Sequence, residues 1–227
     1  MKSKPFIFPY RTYKSFHSPI IPITVHGNKR RCIVAVYVDS GAPLEPLLRA
    51  AGEWGVQPSR VLRTHAHPDH VEHEAELGLP VVRGALSVGG LDVEAIPTPG
   101  HSDDMVAFVV NGAAVFTGDT LFKDSVGGGD FDAVRRAVMD VFMALPHGLR
   151  VLPGHTDETT IGREWEENPF VRVWRGAQPE GTERCRVAGE DATLVVWSPD
   201  YDGKGKAWVR FDDGRDLIVG GSRVERG

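Results

Sequence analysis

Short apolar blocks alternate with turn-forming residues through most of the chain. Pro19 to Val25 and Arg31 to Val38 read as extended segments, and His26-Gly27-Asn28-Lys29 between them has the Gly and Asn of a tight turn, so a β-hairpin is predicted. It ends at Val38-Asp39-Ser40-Gly41-Ala42. Pro43 then opens a segment with Leu44, Leu47, Leu48 and Ala51 on one helical face. Arg60 to Thr64 predicts a short strand whose polar end delivers a histidine cluster into a loop, ahead of a helix near Val71 to Leu77. Pro80 to Arg83 returns as a strand. Leu91 to Pro97, Met105 to Val110 and Ala113 to Thr117, with the turn pair Asn111-Gly112, predict a second sheet. From Asp130, the residues Phe131, Val134, Val138, Val141, Phe142 and Leu145 recur at helical spacing until Pro146. Val151-Leu152 is one more strand, ending at Pro153-Gly154-His155. The fold class expected is α/β, two sheets sandwiched by helices.

From about Ala177 the texture changes. Ala192 to Trp197, Lys206 to Phe211 and Asp216 to Val219 are β-like runs separated by Pro199-Asp200-Tyr201-Asp202-Gly203 and Asp212-Asp213-Gly214. A main domain over 1–176 and a small all-β appendage over 177–227 are therefore expected. Neither internal repeats nor low-complexity tracts interrupt the pattern.

Composition narrows the functions open to such a chain. Its 227 residues, 41% apolar and 25% charged, are those of an ordinary globular protein. A net charge of −5 argues against a general polyanion binder, because nucleic-acid affinity comes mostly from Lys and Arg. No run approaches the ~20 apolar residues that span a bilayer. The first residues do not resemble a signal peptide, so a cytoplasmic protein with a small-molecule substrate, and neither nucleic acid nor membrane as partner, is expected. Cys32 and Cys185 lie far apart, which predicts reduced thiols, with Cys32 packed in its apolar run.

The chemistry sits in His65-Ala66-His67-Pro68-Asp69-His70. Four candidate ligands crowd one loop at a strand end, and imidazoles with a carboxylate suit zinc and also iron or manganese. A polar surface loop is the bland alternative; a lone histidine would favour it, this arrangement does not. Three further strands run out into Gly-containing turns that carry a ligand-type side chain: Thr98-Pro99-Gly100-His101, Phe116-Thr117-Gly118-Asp119 and Pro153-Gly154-His155. Asp39 holds the same place on its own strand and is expected to orient ligands.

With these motifs the chain resembles the metallo-β-lactamase superfamily, and in particular its glyoxalase II-like (hydroxyacylglutathione hydrolase-like) branch, over about residues 20–176. The resemblance implies an αββα sandwich of two mixed β-sheets flanked by helices, followed here by the β appendage. It also implies two metal ions, zinc in the first instance: His65, His67 and His101 on one, Asp69, His70 and His155 on the other, and Asp119 bridging both. Two cations ~3.5–4 Å apart bring the pKa of a shared water toward ~7, and the resulting hydroxide attacks a carbonyl whose oxyanion the ions stabilise. Asp69, as a ligand, could also orient that hydroxide or carry a proton. The segments Glu158 to Arg163 and Asn168-Pro169-Phe170 resemble the region that follows the last histidine in this branch.

Departures and competitors shape the expected substrate. Glyoxalase II enzymes end in a helical region that binds glutathione, whereas this chain ends in a β module. Neither cysteine lies between His101 and His155, where cysteine-ligated zinc β-lactamases place theirs. The leading expectation is hydrolysis of a thioester or similar acyl substrate. The alternatives are a mono-iron persulfide dioxygenase, or a lactonase, phosphodiesterase or β-lactamase of the same superfamily. A binding protein with a structural metal is a further class, which the complete ligand set disfavours. Val38-Asp39-Ser40-Gly41-Ala42 also resembles a retropepsin loop, over the first forty residues only. His73, His17, His26 and His147 read as surface residues, and Asp103 and Asp104 as turn or cap residues. Gly127-Gly128-Gly129 reads equally as a flexible connection or as a close approach to a ligand. Trp197, Tyr201 and Trp208 read as core aromatics of the tail more readily than as a recognition face.

Overall fold

A computed structural model describes residues 20–26, 31–88 and 91–227, with side chains described from Ala35 onward. The described chain divides into two compact units. One holds the residues up to Pro97 together with Val106–Phe116; the other holds Thr98–Met105 and Thr117–Gly227.

The first unit opens with a four-stranded sheet in the order Ile20–His26, Arg31–Val38, Gln57–Leu62, Val81–Val82. The first pair is antiparallel, and the turn expected to join it lies outside the described residues. The next two pairings are parallel, which requires a crossover, and the helix Leu44–Glu53 supplies one. Parallel strands are covered on both faces, and Ala35 to Val38 are all buried. Tyr37, Ala42, Leu47 and Val61 form one core cluster, and Ala35, Ala51 and Val56 another. Leu48, expected on the apolar face of that helix, is 50% exposed; the buried stripe is the narrower Leu47 and Ala51.

Two predicted elements are cut short at the histidine cluster, for reasons visible in the hydrogen bonds. The strand ends at Leu62 and not Thr64, because the Thr64 N–H donates to Asp39 Oδ1 at 2.7 Å. The single helix expected near Val71 to Leu77 is two short ones, Pro68–Val71 and Glu74–Leu77. The His73 N–H, which would continue the first helix by bonding back four residues, donates to the Ser40 carbonyl at 3.0 Å. The remaining strands, Leu86–Val88, Leu91–Pro97, Val106–Val110 and Ala114–Gly118, the last of which leaves the unit after Phe116, pair antiparallel in sequence order. Asn111 and Gly112 both have positive φ (53° and 59°), at the centre of a tight turn that the Ala113 N–H closes on the Val110 carbonyl at 2.9 Å.

In the second unit, the predicted helix after Asp130 keeps its apolar face but changes winding. Phe131–Arg136 is α-helical, Ala137–Val141 is a π-helical turn and Phe142–Ala144 a 3-10 turn. The wide turn, in which the Phe142 N–H bonds to Ala137 and Val138 carbonyls, lets Val138, Phe142 and Met143 all reach the interior. Arg150–Pro153 pairs with Thr159–Thr160, and Leu121–Phe122 pairs with Ser125–Val126. Helices Ile161–Glu167 and Pro169–Trp174 are capped by Thr160 and Asn168 side chains. The tail is a five-stranded antiparallel sheet, ordered Asp216–Gly220, Lys206–Phe211, Glu190–Ser198, Glu183–Val187, Val224–Arg226. Cys185, Val187, Ala192, Leu194, Ala207, Val209, Phe211 and Val219 close into its core. Of the tail aromatics expected inside, Trp208 is buried, but Trp197 and Tyr201 are 39% and 55% exposed. Among the described residues no helix is long and apolar enough to cross a membrane.

Candidate metal centre

Four of the candidate ligands belong to the first unit and sit where its strand Gln57–Leu62 runs out. His65 is buried, His67 is the residue just ahead of the short helix Pro68–Val71, and Asp69 and His70 lie within that helix. Donor atoms of His65 and His67, of His65 and His70, and of Asp69 and His70 lie within 4.8 Å of one another. The His65 ring centroid is 4.6 Å from that of His67 and 4.1 Å from that of His70.

Asp39 sets the orientation of this group. It follows the strand Arg31–Val38 with a left-handed backbone (φ 57°), and its carboxylate is buried. A carboxylate accepts only, so the Thr64 hydroxyl, 2.8 Å from Oδ2, donates to it, and His70 Nδ1, also 2.8 Å away, does the same. With its proton committed to Asp39, the Thr64 hydroxyl oxygen accepts from His65 Nδ1 at 3.0 Å. Both imidazoles thereby carry their proton on Nδ1 and present the Nε2 lone pair, the tautomer a metal needs. The turn itself is tightly seated. Ser40 N–H donates to the His70 carbonyl at 2.8 Å, and a Cβ at Gly41 would lie 1.5 Å from the Asp69 carbonyl oxygen.

The other three candidates belong to the second unit and come from three separate turns. Asp119 follows Gly118, whose φ of 48° turns the chain sharply at the strand end, and Gly118 accepts the Gly154 N–H just ahead of His155. Asp119 and His155 are buried, and Asp119 Oδ2 lies 3.2 Å from His155 Nε2 and 3.7 Å from His101 Nε2. His101 Nδ1 donates to the Gly128 carbonyl at 2.9 Å, which turns Nε2, on the other side of the ring, toward the Asp119 carboxylate. Imidazole and carboxylate donors of this kind fit zinc, iron or manganese.

The glycine run 127–129 is a close approach and not a loose connection. A Cβ at Gly127 would lie 1.8 Å from the Asp119 carbonyl oxygen and 3.3 Å from His101 Nδ1. The remaining candidates behave as surface or turn residues: His73 Nδ1 is 3.6 Å from Glu76, and Ser102 donates to Asp104 at 2.6 Å. His147 is exposed; His17 and the His26 side chain lie outside the described residues.

Three contributors have roles that the sequence reading does not assign. Thr64 reads as the end of a strand and the start of the histidine motif, and a hydroxyl directly before a histidine is the available signal of its bond to the ring. Glu164, fully buried, accepts from Thr159 (2.6 Å), Arg163 (2.8 Å), Asn168 (3.0 Å) and the Asp124 N–H (2.8 Å), holding the hairpin after Asp119 onto the helices. Tyr201 stacks on His155, with ring centroids 4.3 Å apart and planes 18° apart. An aromatic inside an Asp-rich turn was its signal.

No protein-family model matches the chain. An uncharacterised Mycobacterium tuberculosis protein is 39% identical over 97 residues, and there the match spans only 43% of the relative's length. An uncharacterised protein of Mycobacterium leprae is 31% identical over 190 residues, 60% of this chain and 87% of the relative. The probable metallo-hydrolase YqgX of Bacillus subtilis is 27% identical over 203 residues, 67% and 95% of the two chains. Hydroxyacylglutathione hydrolase GloC of Haemophilus influenzae is 24% identical over 204 residues, 67% and 96%. Among solved structures, TTHA1623 in a di-iron-bound form superposes with a TM-score of 0.56 at 28% identity, covering 72% of this chain and all (100%) of that one. ETHE1 from Myxococcus xanthus gives 0.62 at 24% identity, covering 74% and 85%. The chain is thus similar to proteins named metallo-hydrolase and hydroxyacylglutathione hydrolase. Its α/β architecture is the fold of these structures and of the BLEG-1 B3 metallo-β-lactamase (TM-score 0.57 at 24% identity, covering 67% and 99%), and the chain also carries the five-stranded sheet.

Proposed function

We propose that this protein is a dinuclear metal-dependent hydrolase acting on a small acyl substrate, foremost a thioester. The observation that carries this reading is Asp119, whose Oδ2 stands between the Nε2 atoms of His155 and His101. By the family resemblance, and not by the placement of one unit on the other, we assign His65, His67 and His101 to one ion and Asp69, His70 and His155 to the other, with Asp119 shared. Zinc is the metal assigned, and the di-iron state of TTHA1623 makes iron the alternative.

When bound, two such ions supply an activated water at neutral pH and polarise a carbonyl. The chain's own residues hold that arrangement in place. Asp39 and the Gly128 carbonyl keep the Nδ1 protons of His70 and His101 away from the ions. The Asp69 side chain is 40% exposed, and in this reading its carboxylate would orient the attacking hydroxide or carry a proton. GloC, by its name a hydroxyacylglutathione hydrolase, supports the thioester class.

The test is elemental analysis of protein never exposed to chelator, run beside turnover of acyl thioesters, lactones, phosphodiesters and glutathione persulfide. About two transition-metal ions per chain and preferred thioester cleavage are expected. Absence of stoichiometric metal overturns the reading. A single iron with oxygen consumption on the persulfide replaces it by the dioxygenase.

A further inference from the structure

We propose that Tyr201, on the C-terminal sheet, contacts the substrate and selects its acyl group, favouring a flat or bulky apolar group over acetyl. The proposal deepens the metal-centre reading and rests on it. Tyr201 lies in the connection between the strands Glu190–Ser198 and Lys206–Phe211. That connection is built to hold one position. Asp200, with its side chain 3% exposed, pairs with Lys206 at 2.9 Å and accepts the Tyr201 N–H at 2.9 Å. The Asp200 carbonyl takes the Gly203 N–H at 3.0 Å, and Asp202 takes the Lys204 N–H at 2.8 Å. At the root of the loop Ser198 donates to Ser125 at 3.0 Å, tying it to the hairpin that carries Phe122.

The ring this loop presents lies flat on His155 and edge-on to Phe122, with centroids 6.2 Å apart and planes at 71°. Packing alone does not account for it. A core aromatic removes nearly all of its surface from water, as Trp208 does at 4%, whereas Tyr201 keeps 55% exposed beside a candidate metal ligand. The ring is thus a rigid apolar plate with a polar tip, held at low entropic cost where a substrate meeting His155 would touch it. An aryl or branched acyl group can cover that plate; an acetyl group is too small to reach across it.

Tyr201→Ala and Tyr201→Phe would be compared with wild type for metal content, for kcat and KM on acetyl and benzoyl thioesters of one thiol, and for calorimetric binding of the matching non-hydrolysable thioethers. Unchanged metal content is expected throughout. In Y201A the benzoyl KM and the benzoyl analogue's Kd should rise about 3- to 10-fold more than those of the acetyl pair, the worth of one aromatic contact. Y201F should restore the benzoyl values. Equal losses for both acyl groups, or lost metal in Y201A, would show that Tyr201 only props His155 and would overturn the proposal. Identical constants in Y201A and wild type would overturn it too. A wild type devoid of metal would sink the metal-centre reading and this proposal together, whereas a loaded wild type matched by Y201A sinks this one alone.

Discussion

In the first unit the candidate ligands fall in one short run, His65 to His70, and share a single carboxylate, Asp39, that orients two of them through its own and the Thr64 hydrogen bonds. The second unit draws His101, Asp119 and His155 from three turns far apart in sequence, and holds them by backbone: a Gly128 carbonyl on His101 and Gly127 pressed on Asp119. Side-chain charge organises one set and close backbone packing the other. The two should therefore be vulnerable to different kinds of change.

Removing a ligand from either set tests the parity of the halves and has the largest expected effect. His67→Ala and Asp119→Ala should each lower turnover on the order of 10³-fold, with near-native circular dichroism; full activity in either variant removes that residue from the centre. One step back, the halves should diverge. Asp39→Ala should weaken metal affinity about 10–100-fold in chelator competition, the usual cost of losing a group that orients ligands. In the second unit a mere methyl should do comparable harm. Gly127→Ala would put a carbon 1.8 Å from the Asp119 carbonyl, so chelator competition should show weakened metal there as well. Unaltered affinity in Gly127→Ala would break the comparison.

Two smaller effects sharpen it by separating architecture from chemistry. Glu164→Ala strips a buried carboxylate from four donors and should cost about 3 kcal/mol of unfolding free energy in urea titration, while leaving metal content intact. A loss of metal would move Glu164 from scaffold to site. At Cys185, burial in the tail core pushes the thiol pKa up and so reduces the reactive thiolate. Its alkylation at pH 8 should be slower in the folded than in the urea-unfolded protein; equal rates would mean the tail core opens readily.

Legibility from sequence divided along similar lines. Strand ends were readable because an apolar run giving way to a Gly turn needs no knowledge of the partner strand: Val38, Pro97, Gly118 and Pro153 all close strands just ahead of a chemistry-bearing segment. The two-residue strands Leu121–Phe122, Ser125–Val126 and Thr159–Thr160 were not, since so short a pairing has no period of its own. Periodicity found the face of the helix after Asp130 but not its π turn, which shifts by a single residue per turn. Hydrogen bonds that steer ligands, such as Gly128 to His101, join residues distant in sequence through a carbonyl that every residue possesses. No residue type advertises them. Tyr201 was misjudged because composition tells aromatics of a core from those of a surface only by burial, a property of the folded chain.

Asp39 has a consequence for how the centre would fill. Its Oδ2 touches His70 directly and His65 through Thr64, and these two histidines are assigned to different ions. Occupying one position stiffens the carboxylate that aims the ligand of the other, so uptake should be positively cooperative: a zinc titration should pass from empty to doubly loaded chains with little singly loaded species in native mass spectra. In Asp39→Ala the singly loaded form should accumulate, and its accumulation in the wild type would show that the two positions fill independently.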